Sequence, residues 1–525
     1  MIQKLFKGGL VADGTGSALA RVDVAVKDGQ IVDVGNLESP ANEVIDITDL
    51  ILAPGFIDIH THSDLTLLSN PLAQSKIRQG ITTEVIGNCG FGVAPNPIGE
   101  ASKLLRAAVA YLDLDPSIKW NWSDLAEYLK VLEKSGTSVN VATLVGHIPI
   151  HASVVGFGKD PATATEIIQM QELLRENMAA GAFGFSTGLN YSPISYASQE
   201  ELIGLATVVK EFDGIFACHM REYGDDLMKS MNELLSITRA TGVRTQISHL
   251  VTFGKRNWGS VSRALELIDQ ANQDGFEVDA DVYPYIAGNC PLTQLLPYWA
   301  QEGGDTVMRD RMKDASARPK IISHWIESEV IWSNIQIANV IPGREDLIGR
   351  KISDIAESLS VEPDILALDL LGDMGNTLGI IAFGRAESDV NSVYAHSRSI
   401  VGSDGQSLDP NGATGSGSPH PRSYGCYPRL LHGYTGASGI SLERAIHIST
   451  QAAANKLHIK NRGSIKVGNQ ADLVIFNQHE IRDLATYEQP QQYPIGIPHV
   501  IVNGEFAIKA GSHTGKLPGD IIRSR

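Results

Sequence analysis

The stretch FIDIHTHSDL, residues 56–65, carries two imidazoles, His60 and His62, two positions apart behind an apolar run. On a β-strand side chains return to the same face every second residue, so the pair points to one side. Burying both is costly unless each finds a hydrogen bond or a cation joins them. Three more residues of metal-binding type close similar runs: Cys89 in TTEVIGNCG, His219 in GIFACHM and His249 in TQISHL. A carboxylate, Asp404, closes SIVGSD. Read alone, each histidine is best explained as a hydrogen-bonded core residue. Read together, a thiolate with imidazoles is a donor set for zinc, not for magnesium or calcium. Cys89 lies among the glycines of GNCGFG, where backbone and ligand can approach closely. Cys218 precedes His219 and so faces the opposite side, as a packing residue; Cys290 and Cys426 carry no readable signal. His147, closing VNVATLVGH, reads as structural.

These residues meet only if the runs that carry them lie side by side. Eight runs have the texture of buried strands: GFIDIHTH, TTEVIGNCG, VNVATLVGH, AFGFSTGL, GIFACHM, TQISHL, FEVDADVY and SIVGSD. Stretches 163–180, 198–212, 225–241 and 259–274 separate several of them and repeat apolar residues at helical spacing. Repeated strand–helix units demand parallel strands, and eight of them match an α/β fold of the (β/α)8 TIM-like barrel type. Active sites of such barrels lie at the C-terminal ends of the strands, where His60, His62, Cys89, His219, His249 and Asp404 all fall. The stretch 288–398 is too long for one crossover and is expected to hold an insertion of several helices after strand seven. The glycine-rich 402–425 is expected to be irregular, either a floppy surface loop or a lid-like loop. Residues 1–54 and 457–525 share a different grammar of short alternating runs, with Asp-Gly and Asn-Gly hairpin turns at 28–29 and 503–504. They are expected to form one small β-sandwich domain from both termini, beside a barrel domain over 55–456.

A formal net charge of −17 and a pI near 5.3 leave no basic face for nucleic acid. No run approaches 18 apolar residues, so no membrane span is expected. The first residues, MIQKLFKGGLVADGTG, lack the apolar core and cleavage site of a signal peptide. Four scattered cysteines in a chain of 525 residues suggest reduced thiols and a cytoplasmic location. The inserted helices could seat a second copy in a homo-oligomer.

In the order APGFIDIHTHSD, GNCGFG, STGLNYSP, CHMRE, ISHL, DVYPY, SDG and HPRSYG, these motifs resemble the N-acyl-D-amino-acid deacylase (D-aminoacylase) branch of the amidohydrolase superfamily. The likeness runs from about residue 5 to 505. His-x-His with SDG marks the superfamily, whereas GNCG, STGLNYSP and HPR mark the branch. The resemblance implies that Cys89, His219 and His249 hold the main zinc. It also implies a second, weaker metal position at His60 and His62, and catalysis by Asp404. Zinc would ionise water near neutral pH and polarise the acyl carbonyl. Asp404 would take a proton from the attacking water and pass it to the leaving amine. The implied substrate is a small N-acyl-D-amino acid, its α-carboxylate held by Lys255, Tyr191, Tyr283 and Arg422.

Members acting on acidic D-amino acids carry a basic residue in the insertion after strand seven. The segment NCPLTQLLPYWAQEGGDTVM, 289–308, has no Lys or Arg, so a neutral or hydrophobic side chain is the expectation, with an N-acyl-D-glutamate or N-acyl-D-aspartate deacylase as the alternative. The loop 406–420 is longer than the family usually shows between SDG and HPR. Three rivals share the barrel: a cyclic-amide hydrolase of dihydroorotase or hydantoinase type, a deaminase, and a decayed barrel acting as scaffold. The first usually bridges two metals with a carboxylated lysine on strand four, and AFGFSTGL has no lysine. The second has no use for the strand-two thiolate. The third would have lost ligands, and none is missing here.

Overall fold

Short, fully buried runs become eight parallel strands in a computed structural model that describes residues 2–436 and 439–524. They are β1 (Phe56–Asp58), β2 (Ile81–Ile86), β3 (Asn140–Thr143, continued by Val145–Gly146) and β4 (Gly184–Gly188). The remaining four are β5 (Ile215–His219), β6 (Arg244–Ile247), β7 (Val278–Val282) and β8 (Ser399–Val401). Each pairs in parallel with the next. Thr61 bridges Gly405 in parallel, so the end of β1 meets the end of β8 and closes the ring. Side chains are buried on both faces of these strands, and polar ones among them, such as Glu84 and Gln246, find partners inside the barrel in Ser63 and Asp281.

The amphipathic stretches are helices Ala164–Ala179, Gln199–Glu211, Leu227–Thr241 and Val261–Gln273. Thr163 and Glu166 form a capping box on the first, and Ser198 caps the second through Glu201 N. Their buried faces join the strands' outward faces in one large core that includes Met170, Leu205, Leu234, Ile268 and Cys218.

The insertion is not purely helical as expected. It holds an antiparallel sheet of Ala287–Pro291, Ile335–Asn339 and Gly379–Phe383, the last in the middle, beside helices such as Gly304–Lys313 and Pro363–Met374. Five-residue apolar runs such as GIIAF do not reveal whether they will be strand or helix, because their partners are remote. The insertion has its own core, around Met312, Trp325, Ile337, Leu371 and Ile380.

Both termini build two packed sheets. One has strands Ile2–Lys7, Asp23–Lys27, Gln30–Gly35 and Ala41–Asp46. The other interleaves Leu10–Val11 and Ile51–Pro54 with Leu473–Phe476, His499–Val502, Glu505–Lys509 and Ser512–His513. Phe6, Val24, Leu52, Leu473 and Ile501 share the core between them. The Asp-Gly turn has φ of 49° and 78°, and the Asn-Gly turn 49° and 79°, both suited to tight hairpins. No helix among the described residues is long and apolar enough to cross a membrane.

Beneath the mouth of the barrel a buried lysine ties three strand segments together. Lys76 Nζ lies 2.9 Å from Asp58 Oδ2, 2.6 Å from Ser403 Oγ and 3.9 Å from Glu84 Oε2, and Asp58 Oδ1 accepts from Ser403 N at 2.8 Å. Removing one partner strands a charge in a dry site. Lys76→Met is therefore expected to cost roughly 3–5 kcal/mol of barrel stability in urea unfolding. A change below about 1 kcal/mol, the range of an exposed pair, would mean that Asp58 keeps its charge balanced without the lysine.

Candidate metal centre and substrate cleft

The ends of five of the eight barrel strands deliver the elements of a single cluster. His60 and His62 follow β1, Cys89 follows β2, His219 ends β5, His249 follows β6 and Asp404 follows β8. Backbone bonds hold the seam between β1 and β8: Asp404 N donates to His60 O at 2.8 Å and His62 N to Gly405 O at 2.9 Å. Cys89, His249 and Asp404 all adopt left-handed backbone, with φ of 55°, 36° and 52°. Non-glycine residues pay a conformational cost for that geometry, and such strain gathers at functional sites.

Two groups of donors result, each with its atoms within 4.8 Å of one another: Cys89, His219 and His249; and His60, His62, Cys89 and Asp404. Cys89 belongs to both. Its Sγ lies 3.6 Å from His249 Nε2 and 3.2 Å from His60 Nε2. Ligands of one tetrahedral zinc, with bonds of about 2.3 Å to sulfur and 2.0–2.1 Å to nitrogen, stand about 3.6 Å apart. His219 Nδ1 is buried without a hydrogen-bond partner, as a nitrogen reserved for a cation would be. The residues therefore fit the ion.

The electrostatics agree. Burial lowers His219 to about 3, and burial together with His219 holds His249 well below its usual range, so both are neutral donors at pH 7. Burial pushes the Cys89 thiol up to about 11, against the pull of His60. Without a cation it stays protonated and is a poor nucleophile; a coordinated ion removes the proton outright. For Asp404, burial favours the acid, but Arg422, His60 and His62 outweigh it and hold the carboxyl well below the ordinary range. Arg422 Nη1 lies 2.9 Å from Asp404 Oδ2, and His62 Nε2 lies 2.9 Å from Asp404 Oδ1.

The four residues expected to hold a carboxylate all reach this region. Arg422 is buried as the first residue of helix Arg422–Gly433 and donates from Nη1 to Tyr283 Oη at 2.8 Å. That helix takes the last residues of the glycine-rich stretch, and 402–408 and 418–420 are buried, so both ends of the loop are packed while 411–413 lie exposed. Tyr283 follows β7, and the Tyr191 ring lies tilted at 57° to the His219 ring, 5.0 Å between centroids. Lys255 is exposed in the turn Lys255–Asn257 after β6. Tyr191, His219, Lys255, Tyr283 and Asp404 line one cleft of about 480 Å³. His147 instead donates or accepts between Thr187 Oγ1 at 2.9 Å and Glu201 Oε1 at 2.8 Å, buried behind the mouth in a structural role.

Three residues escaped the sequence reading. Asp281 on β7 accepts from His249 N at 2.7 Å and meets His60 Nδ1 at 3.1 Å, fixing the ring so that Nε2 faces Cys89. Its signal was present: a carboxylate inside VDADV, an otherwise buried strand. Gln294 Nε2 lies 3.3 Å from His219 Nε2. Arg385 enters the cleft from the end of the inserted sheet.

A sequence profile described as the Amidohydrolase family matches residues 43–255 and 402–508. An N-acyl-D-glutamate deacylase of Alcaligenes xylosoxydans xylosoxydans is 33% identical over 524 residues, covering 99% of this chain and 96% of its own. The crystal structure of N-acyl-D-glutamate deacylase from Bordetella bronchiseptica, complexed with zinc and a phosphonate inhibitor, superposes with a TM-score of 0.85 at 32% identity, covering 99% of both chains. A D-aminoacylase structure concerned with its binuclear metal centre gives 0.84 at 31% identity, covering all of both chains.

Proposed function

Because this chain belongs to the amidohydrolase family, we propose that it hydrolyses the amide bond of N-acyl-D-amino acids, releasing a carboxylic acid and a free D-amino acid. The observation that carries this reading is the sharing of Cys89 between two donor groups, one of which contains Asp404. Cys89, His219 and His249 would hold the tightly bound zinc, and His60 and His62 with Cys89 a second, weaker ion. A zinc ion held there supplies Lewis acidity and makes water acidic enough to ionise near neutral pH.

The chain's own residues do the rest. Asp404 is ionised and anchored on two sides, so one oxygen can accept a proton from the attacking water. The same group then delivers that proton to the amine, which must not depart as an anion. Lys255, Tyr191, Tyr283 and Arg422 orient the α-carboxylate; arginine offers a fork and lysine a point charge. Fixing the carboxylate and the acyl carbonyl leaves one direction for the side chain, which selects the D configuration. The strand Gly184–Gly188 carries no lysine to bridge metals as in cyclic-amide hydrolases. All four cysteines are free, which supports a reducing, cytoplasmic setting.

The test is chiral amino-acid detection with zinc-loaded protein on N-acetyl-D- and N-acetyl-L-amino acids. Release of D-amino acids alone is the expected result. Selectivity for L-substrates, or no release from either series, would overturn the assignment.

A further inference from the structure

Arg385 follows the middle strand of the inserted sheet, its backbone N donating to Ile286 O at 3.2 Å. Its guanidinium lines the cleft, and its Nε and Nη1 are buried with no hydrogen-bond partner. Its Cζ lies 4.8 Å from the centroid of Tyr283, as does that of Arg422. A Cβ built at Gly288 would stand 2.8 Å from Arg385 Nη2, so the missing side chain there makes the seat for the guanidinium. Arg385 is half-buried, and buried donors left unpaired cost free energy that is offset when an anion arrives with charge-assisted hydrogen bonds.

The cleft already provides for one carboxylate. Arg422, paired with Asp404 at 2.9 Å, and Lys255, exposed at the rim, are the cations assigned above to the α-carboxylate. Arg385 remains, beside Tyr283 and with its Nε and Nη1 unpartnered. We infer that Arg385, seated against Gly288 and Tyr283, holds a second carboxylate of the substrate, so that N-acyl-D-amino acids with acidic side chains are the preferred class. The inference rests on the hydrolase reading above and departs from the expected neutral side chain. That expectation searched residues 289–308, which do lack a cation. Antiparallel pairing of Ala287 with Phe383 and Gly288 with Ala382 brings the cation in from the far end of the insertion.

Steady-state kinetics of the zinc-loaded protein on N-acetyl-D-glutamate, -aspartate, -leucine and -methionine test it. The acidic pair is expected to exceed the neutral pair at least tenfold in kcat/KM. Arg385→Met is expected to lower the acidic-to-neutral ratio roughly hundredfold, as for a severed buried charge pair, with Arg385→Lys between the two. Calorimetry with free D-glutamate and D-leucine gives a readout independent of turnover, and only D-glutamate binding should weaken in Arg385→Met. Neutral substrates winning tenfold would overturn the inference while leaving the hydrolase reading intact. So would an equal loss on all four substrates, which would place Arg385 on the α-carboxylate. No turnover of any of the four would sink the hydrolase reading and this inference with it.

Discussion

Asp404→Asn is expected to lower kcat/KM by about 10³–10⁴-fold, the upper range for a lost general acid–base group, with zinc content unchanged. Asparagine keeps the shape and can still meet His62 and Arg422, but it cannot take a proton from water. The carboxylate is well prepared for that task. Arg422 at 2.9 Å and the imidazoles of His60 and His62 at 3.5 and 2.9 Å keep it ionised despite its burial. The zinc should stay because Cys89, His219 and His249 form a donor group without Asp404. The neutral side chain also leaves Arg422 without its counter-ion, so a fall in melting temperature is expected and must be measured alongside. Turnover within tenfold of the parent would remove Asp404 from the proton path. Loss of zinc in step with turnover would make it a ligand instead.

How much of this could be read from the chain depends on whether the signal was local. All eight barrel strands appear where buried runs stand, because burial on both faces writes itself into consecutive residues. The clustering of the candidate ligands was legible for the same reason: they sit at the ends of those runs, and parallel strands in a ring bring like ends together. Asp28-Gly29 and Asn503-Gly504 are local turn chemistry and were equally readable. What stayed hidden is what arrives from a distance. Ala287 pairs with Phe383 across nearly the whole insertion, and neither run alone discloses that it is a strand. Arg385 looks like a solvated loop charge until that pairing folds it over the cleft. Packing of 402–408 onto Ser63 and Ser75 was invisible too: Ser407 N and Leu408 N donate to those hydroxyls at 2.9 and 2.8 Å, and a glycine-rich composition does not announce such bonds. The left-handed backbone at Cys89, His249 and Asp404 left only the neighbouring glycines of two of the three as a trace.

Cys89→Ala should remove zinc and turnover together. A residue that only holds a ligand in place through a hydrogen bond typically costs 10–100-fold in metal affinity when lost, so loss of the thiolate shared by both donor groups is expected to exceed about 100-fold. Metal analysis after dialysis should then find the variant nearly zinc-free, and added zinc should no longer raise its melting temperature, as ligand linkage requires of a protein that binds it. The alternative role for a buried cysteine in an enzyme is nucleophile, and the site opposes it. Burial holds the thiol near 11, and the imidazoles closest to its sulfur, His60 at 3.2 Å and His249 at 3.6 Å, lie where a shared cation would place them. A nucleophile would show the opposite pattern: turnover abolished, zinc retained in full and the zinc-dependent stabilisation intact. Cys89→Ser sharpens the contrast, because a hydroxyl is a poor zinc ligand but a competent attacking group; serine should behave like alanine if the sulfur's work is to bind the ion.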